Sequence, residues 1–289
     1  MIQARSYAKI NWSLRVTGKR ADGFHDLETV FQLISLHDTL TFTESDRLVV
    51  TCDDRTIPTD ERNLVVKAAR ALGVDRVAIH IEKRIPSGGG LGGGSSNAAA
   101  TLIALSKMFN LDRPLESIAL QLGSDVPFFF VGGTAYATGR GEVITPLPDA
   151  PKLPLLLVLP RQRVSTAEAF RSLTHFSPAL GIEAYVSVWR GLPARAPGGA
   201  GGPGAQAGSL RHTGVFTNDF EEPVFARFPQ LRTCKEKLYE AGAQWAAMSG
   251  SGSTIVGAFP DLSSRDAARS AFQDVRTETA VVLGGATPA

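Results

Sequence analysis

Residues 86–97, Pro86-Ser87-Gly88-Gly89-Gly90-Leu91-Gly92-Gly93-Gly94-Ser95-Ser96-Asn97, place six glycines in seven positions just before an alanine-rich apolar stretch. Glycine adopts left-handed dihedrals freely, and its missing Cβ lets backbone amides come close to an anion. The helix predicted to follow, about 95–108, would aim its unpaired first-turn amides and positive dipole end at the same point. The chemistry implied is phosphate binding. A P-loop is excluded, since it needs Gly-Lys-Ser/Thr after its glycines and this chain has Gly94-Ser95-Ser96-Asn97. A dinucleotide fingerprint fits no better, because no ribose-reading acid follows at the required distance. A flexible linker would run on into polar sequence, whereas Ala98, Ala99, Ala100, Leu102, Ile103 and Leu105 follow here.

Phosphoryl transfer also requires a cation for the developing charge and a group that positions the acceptor hydroxyl. Lys9 lies on the polar face of the first predicted strand, a place that by itself indicates solvent exposure. Asp125 sits between Gly123-Ser124 and Val126-Pro127, where the proline drives Val126 out of helical geometry. That position suits a catalytic carboxylate, and equally a cap or Asx-turn. A second Gly/Ser element, 248–254, either lines the same site or makes a tight turn.

The elements that must hold these groups follow from periodicity. Residues 8–16 alternate, with Ala8, Ile10, Trp12, Leu14 and Val16 on one face and Lys9, Asn11, Ser13 and Arg15 on the other. Strands are predicted at 29–35, around Leu40 and Phe42, at 48–50 and at 77–81. A helix capped by Asn63 runs to about 72, and another spans 115–122. The proline-rich stretch 146–154 marks a boundary between domains 1–150 and 151–289. Beyond it come a strand at 155–159, helices at 166–173 and 182–189, helical pattern over 220–241, a strand at 255–259, a helix at 261–272 and a closing strand at 280–283. The Gly/Ala/Pro-rich stretch 191–208 is expected to be a mobile surface loop. The whole predicts an α+β fold of two domains with mixed sheets.

A net charge of +2 leaves no chain-wide basic footprint for nucleic acid. Two cysteines without CxxC spacing argue against a zinc site or a disulfide scaffold. No apolar run approaches the ~20 residues of a membrane span, and the N-terminus lacks a secretory h-region. A cytoplasmic protein with a small-molecule substrate is expected, as a monomer or homodimer.

Three motifs in order, the Lys9 strand, the 86–97 loop and Met248-Ser249-Gly250-Ser251-Gly252, resemble those of the GHMP kinases. Within that superfamily the chain is most similar to the branch whose acceptor is a cytidine-diphosphate methylerythritol. This likeness rests on Ala8-Lys9-Ile10-Asn11-Trp12-Ser13-Leu14, Gly18-Lys19-Arg20-Ala21-Asp22-Gly23-Phe24-His25, the glycine loop and Gly123-Ser124-Asp125-Val126-Pro127-Phe128. It covers nearly the whole chain, with Gly23-Phe24-His25 as the specific signal for cytidine.

The resemblance implies a ribosomal-protein-S5-like N-terminal domain joined to a ferredoxin-like C-terminal domain. It implies ATP-dependent phosphorylation of an alcohol, in isoprenoid precursor synthesis, with magnesium on the triphosphate and Ser95 as a hydroxyl donor near it. Residue by residue it makes Asp125 the group that receives or orients the acceptor proton, with Lys9 beside it. ATP would meet Pro86, Ser87, Gly88, Gly89, Gly90, Leu91, Gly92, Gly93, Gly94, Ser95 and Ser96, with Asn63 and Lys83 near the adenine. Asn11 would bind the acceptor's polyol or diphosphate, His25 would read the cytosine edge and Phe24 would stack on it, where relatives often carry tyrosine. Phe170, four residues after Thr166, is either the opposite face of that sandwich or a core aromatic; both residues are assigned to the acceptor side. Alternatives are another small-molecule kinase of the superfamily, of homoserine or mevalonate type, and a non-catalytic nucleotide sensor.

Overall fold

The computed structural model describes residues 1–191 and 214–285. Nearly all of the expected 191–208 loop therefore lies outside the described residues.

Alternation along the N-terminus builds β1 (Ile2–Lys19), which folds back antiparallel on β2 (His25–Glu44). The runs predicted separately at 29–35 and around Leu40 are one strand. A register shift hides this, since Tyr7 pairs with His37 but Lys9 with Leu33, so two extra residues of β2 break the period-two pattern. On its other edge β2 pairs with β4 (Val77–Glu82) through its C-terminal half and with β5 (Thr134–Thr138) through its N-terminal half. β3 (Val49–Cys52) runs parallel to β4, and β6 (Val143–Pro146) extends β5. β5 and β6 were not expected, because Thr134-Ala135-Tyr136-Ala137-Thr138 carries little hydrophobic contrast.

Four helices pack on this sheet: α1 (Leu64–Ala71), α2 (Gly93–Met108), α3 (Leu115–Leu122) and the short α4 (Phe128–Val131). Asn63 caps α1 as predicted, its Oδ1 accepting from the Val65 amide at 2.9 Å. The core between them joins Phe31, Phe42, Ile79 and Ile81 of the sheet to Val65, Ala69, Ala98 and Leu102.

The second half contains β7 (Pro154–Leu159), α5 (Thr166–Arg171), α6 (Ile182–Gly191), α7 (Glu221–Arg227), α8 (Pro229–Glu240), β8 (Trp245–Met248), β9 (Ile255–Ala258), α9 (Leu262–Arg269) and β10 (Arg276–Val281). Its sheet runs β10-β7-β9-β8 and every pair is antiparallel, which corrects the expectation of a second mixed sheet. Counted within this half, the order is the 4-1-3-2 of ferredoxin-like folds. The central β7 is buried along all six residues, which explains its unbroken apolar run.

The two halves share a core. Ala8, Ile10 and Trp12 of β1 pack on Leu155, Leu157 and Trp245, with the two indole centroids 4.5 Å apart. The opposite face of β1 is also buried: Lys9 is 4 % exposed and Asn11 2 %. Simple solvent exposure of Lys9 is thereby excluded. The outer edge of β1 is covered too, since the Leu14 amide donates to the Thr217 carbonyl at 2.7 Å and the Asp219 amide to the Leu14 carbonyl at 2.9 Å.

Candidate active site

The glycine loop is shaped by what lies against it. Gly88, Gly90 and Gly92 all have positive φ, at 72°, 77° and 69°. A side chain on Gly90 would run into the Ser249 carbonyl, so the 248–254 element packs directly against the loop. Ser249 Oγ donates to the Gly90 carbonyl at 2.9 Å, and the Thr254 amide donates to the Gly89 carbonyl at 3.3 Å. The second Gly/Ser element thus lines the site besides turning between β8 and β9. α2 begins at Gly93 with Gly92 as a left-handed N-cap, which gives its first-turn amides no side-chain acceptor. Its first turn also lacks acidic residues, so donors and dipole are presented to an incoming anion.

Lys9 lies beneath this loop. Its backbone amide donates to the Leu91 carbonyl at 2.9 Å, tying β1 to the one apolar residue among the glycines. Its ammonium donates to Asn11 Oδ1 at 2.8 Å and lies 3.5 Å from Asp125 Oδ2. The Asn11 amide then donates to Thr29 Oγ1 at 2.8 Å, and the Thr29 hydroxyl to the Ser13 carbonyl at 2.6 Å. This relay fixes which way the Asn11 amide points and leaves its oxygen for Lys9. Lys9 also stands 5.1 Å above the Phe31 ring. Asp125 is the accessible partner, its side chain 36 % exposed at the end of a buried cation. The Val126 amide bonds back to the Gly123 carbonyl at 3.1 Å, so Asp125 projects from a closed turn just ahead of α4.

On the far side of the loop a cleft of about 340 Å³ opens between residues 57–64 and the glycines, and both Asn63 and Lys83 border it. Their side chains are engaged in the fold. Asn63 caps α1 and donates to the Pro58 carbonyl at 2.7 Å. The Lys83 ammonium donates to the buried Asp38 at 2.7 Å and also to the Ile85 carbonyl. The other Asp38 oxygen accepts from the Arg84 and Ile85 amides, both at 2.7 Å, which pins the chain leading into the loop. Ser96 is turned inward, its hydroxyl accepting from Ser6 at 2.7 Å and its amide donating to the Gly92 carbonyl at 2.9 Å, so its role is to hold the start of α2 in place, which corrects its expected direct contact with ATP.

The acceptor side forms around the β1–β2 turn. Phe24 is 51 % exposed and carries the Arg140 guanidinium 4.5 Å above its ring. His25 stacks on Phe170 at 4.7 Å and 17° between planes, while Phe170 meets Phe220 edge-on. Phe170 is therefore partly a core aromatic, and the ring it faces is His25 rather than Phe24. Burial and the nearby Lys19 lower the His25 pKa, which favours a neutral ring able both to donate and to accept. The Thr166 and Ser251 hydroxyls bond at 2.8 Å, joining the start of α5 to the second Gly/Ser element.

Several positioning residues escaped the sequence reading. Buried Asn218 donates to the Met248 and Gly250 carbonyls, both at 2.7 Å, and Glu221 accepts from the Met248 amide at 2.8 Å. Glu28 is buried yet accepts from the Tyr136 and Tyr185 hydroxyls and the Leu180 and Gly181 amides, at 2.7–2.9 Å. Only the polar cluster at Thr217-Asn218-Asp219, set among apolar residues, could have signalled the first of these; Glu28 left no mark in the periodicity.

Comparison with known proteins gives the family. The family models "GHMP kinases N terminal domain" and "GHMP kinases C terminal" match residues 63–133 and 198–276. A 4-diphosphocytidyl-2-C-methyl-D-erythritol kinase of Chlorobium phaeobacteroides is 41% identical over 281 residues, 93% of this chain and 92% of the relative. The kinase of the same name from Solibacter usitatus is 43% identical over 268 residues, 89% of this chain and 81% of the relative. A crystal structure of 4-(cytidine 5'-diphospho)-2C-methyl-D-erythritol kinase superposes with a TM-score of 0.81 at 32% identity, covering 98% of this chain and 100% of that one. With a buried lysine beside an accessible aspartate under a glycine loop, and relatives of this likeness over nearly its whole length, the chain belongs to the 4-diphosphocytidyl-2-C-methyl-D-erythritol kinase family of the GHMP kinases.

Proposed function

We propose that the chain transfers the γ-phosphoryl group of ATP to the 2-hydroxyl of 4-diphosphocytidyl-2-C-methyl-D-erythritol, releasing ADP and the 2-phosphate. The observation that carries this reading is the Lys9 ammonium, 3.5 Å from Asp125 and held against the glycine loop. Such a pair sets a fixed positive charge and an acceptor-orienting carboxylate beside an anion cradle. Phosphoryl transfer passes through a loose transition state, so positioning and charge neutralisation contribute more than full proton abstraction.

In this reading the amides of 87–95 hold the triphosphate, Pro86 having no N–H and the Ser96 amide being bonded to Gly92, and the 57–64 side of the cleft receives the adenine. Asn63 and Lys83 act there chiefly by fixing the walls, given their internal partners. Asp125 orients the attacking hydroxyl and takes up its proton as the bond forms. Lys9 neutralises charge on the transferring group, and Asn11, held by Thr29, aligns the polyol. His25, Phe24, Thr166 and Phe170 surround the cytidine end. Magnesium fits as an ion carried by the triphosphate, where it supplies charge neutralisation. Among the described residues no three acidic, histidine or cysteine side chains gather to cage it, and Ser95, half-buried in the first turn of α2, offers a hydroxyl.

Incubation with ATP, magnesium and the cytidine-bearing acceptor should release ADP in step with a phosphorylated product. No release, alongside normal turnover of homoserine or mevalonate, would overturn the assignment of substrate.

A further inference from the structure

The backbone around Phe24 is closed from both sides. Its amide donates to Asp22 Oδ1 at 3.1 Å, its carbonyl accepts from the Arg20 amide at 2.8 Å, and Gly23 supplies the positive φ (86°) the turn needs. What remains free is the ring, half exposed and covered, among the cations of the described residues, by Arg140 at 4.5 Å. Arg140 comes from a different part of the chain, the turn between β5 and β6. That turn is anchored to β2 by the Leu27 amide, which donates to the Gly139 carbonyl at 2.6 Å, and is closed by the Gly141 amide on the Thr138 carbonyl at 3.0 Å. The guanidinium is steadied by Glu142, 3.7 Å from Nε, and Glu142 also accepts from the Arg140 amide. The next residue, Gly141, borders Asp125 and Phe31. One tight turn therefore spans from the Phe24 ring to the carboxylate at the reacting end.

We propose that Arg140 is a specificity-determining positioning residue: its guanidinium clamps the Phe24 ring so that the remaining exposed face is presented to the acceptor's aromatic base. A guanidinium is planar and weakly hydrated, suited to lie on an aromatic face. Immobilising the ring before binding removes part of the ordering cost the acceptor would otherwise meet. Arg140 lies on the Phe24 ring and with Glu142, while the residue beside Asp125 in this turn is Gly141, so its effect belongs in acceptor binding and not in the chemical step. The inference rests on the proposed cytidine-bearing acceptor.

The test is steady-state kinetics of the whole enzyme with varied acceptor and with varied ATP. Arg140→Ala should raise KM for the acceptor about three- to tenfold, with kcat and KM for ATP unchanged. Arg140→Lys, which keeps a cation over the ring, should recover part of the loss, and Arg140→Gln should not. In a Phe24→Ala background, Arg140→Ala should add nothing, because the group it acts through is gone. An unchanged acceptor KM in Arg140→Ala, or an equal effect with and without Phe24, overturns the proposal. A wild-type enzyme inert toward the acceptor overturns the substrate reading itself and this inference with it, and so is told apart from a failure of Arg140 alone.

Discussion

Replacing Gly92 by alanine tests whether the loop and the Lys9 charge form one mechanical unit. Gly92 has φ +69°, where an L-residue is disfavoured by about 1–2 kcal/mol. An added Cβ would stand 2.9 Å from Lys9 Cγ, 2.9 Å from Phe129 Cζ and 3.2 Å from Lys9 Cε. Carbon pairs prefer about 3.5–4.0 Å, so something must move. The Phe129 ring is buried, edge-on to Phe128 at 5.3 Å, and has little freedom. The Lys9 side chain is the part that yields, and moving its methylenes carries the ammonium away from Asp125 and Asn11.

The expected stability loss is about 1–3 kcal/mol, from left-handed strain plus overpacking. Turnover should fall much further, about a hundredfold, because a misplacement of order 1 Å at the reacting centre has that effect. Urea unfolding and coupled ADP release with the acceptor measure the two. Gly94→Ala provides the stability control: Gly94 has no positive φ and its nearest neighbour would be Leu64 Cδ1 at 3.7 Å, so folding should be unharmed. A Gly92→Ala enzyme that turns over at the wild-type rate would refute the coupling of loop and lysine.

Asp125→Asn should bind ATP normally, by calorimetry, and lose most turnover; an unchanged rate removes Asp125 from the reaction. Lys9→Met should lower kcat by at least about a hundredfold and also lower stability in urea by about 1–3 kcal/mol, because the buried Asn11 oxygen loses its donor. Asp38→Ala strips Lys83 of its carboxylate and two amides of their acceptor, and should cost about 3–5 kcal/mol by denaturant titration. For Glu28, burial pushes the pKa up, but four donors outweigh it and hold the group below its ordinary value of 4.5. The unfolded chain therefore takes up the proton first, so this stabilisation is complete above that value and lost as pH falls through the lower folded one; Glu28→Gln should be less stable at neutral pH and show a flatter acid limb.

The parts of the fold that were legible are those whose signal is local. Asn63 marks the start of α1 because a cap uses one side chain and one amide two residues on. The glycine loop was readable as an anion cradle because it needs only positive φ and a following helix. β8 went unseen since Ala246 and Ala247 carry no contrast, and the Glu28 hub unites residues 28, 136, 180, 181 and 185, a set that exists only after folding. The resemblance to a family supplied the pairing of Lys9 with Asp125, 116 positions apart, which no periodicity in the chain connects.

Lys9 shows why alternation alone misleads at a site. A strand with apolar residues on one face and Lys, Asn, Ser and Arg on the other has the pattern of a sheet with a wet side, yet over residues 8–16 both faces of β1 are buried here. Burying an ammonium is tolerable only when its donors are met and a counter-charge is near. Asn11 oxygen, the Phe31 face and Asp125 provide that on three sides. Alternation sets Asn11 beside Lys9 on one face, which a solvated strand would show equally, whereas Phe31 and Asp125 are distant in sequence and leave no mark in the period. The polar face is thus an internal lining whose charge is only partly compensated, with a 3.5 Å gap to an accessible carboxylate in place of a tight bond. Incomplete compensation is the condition for a lysine that must still attract phosphate, and it explains why the glycines press so closely on its side chain: any bulk there would displace the charge from the one place it is useful.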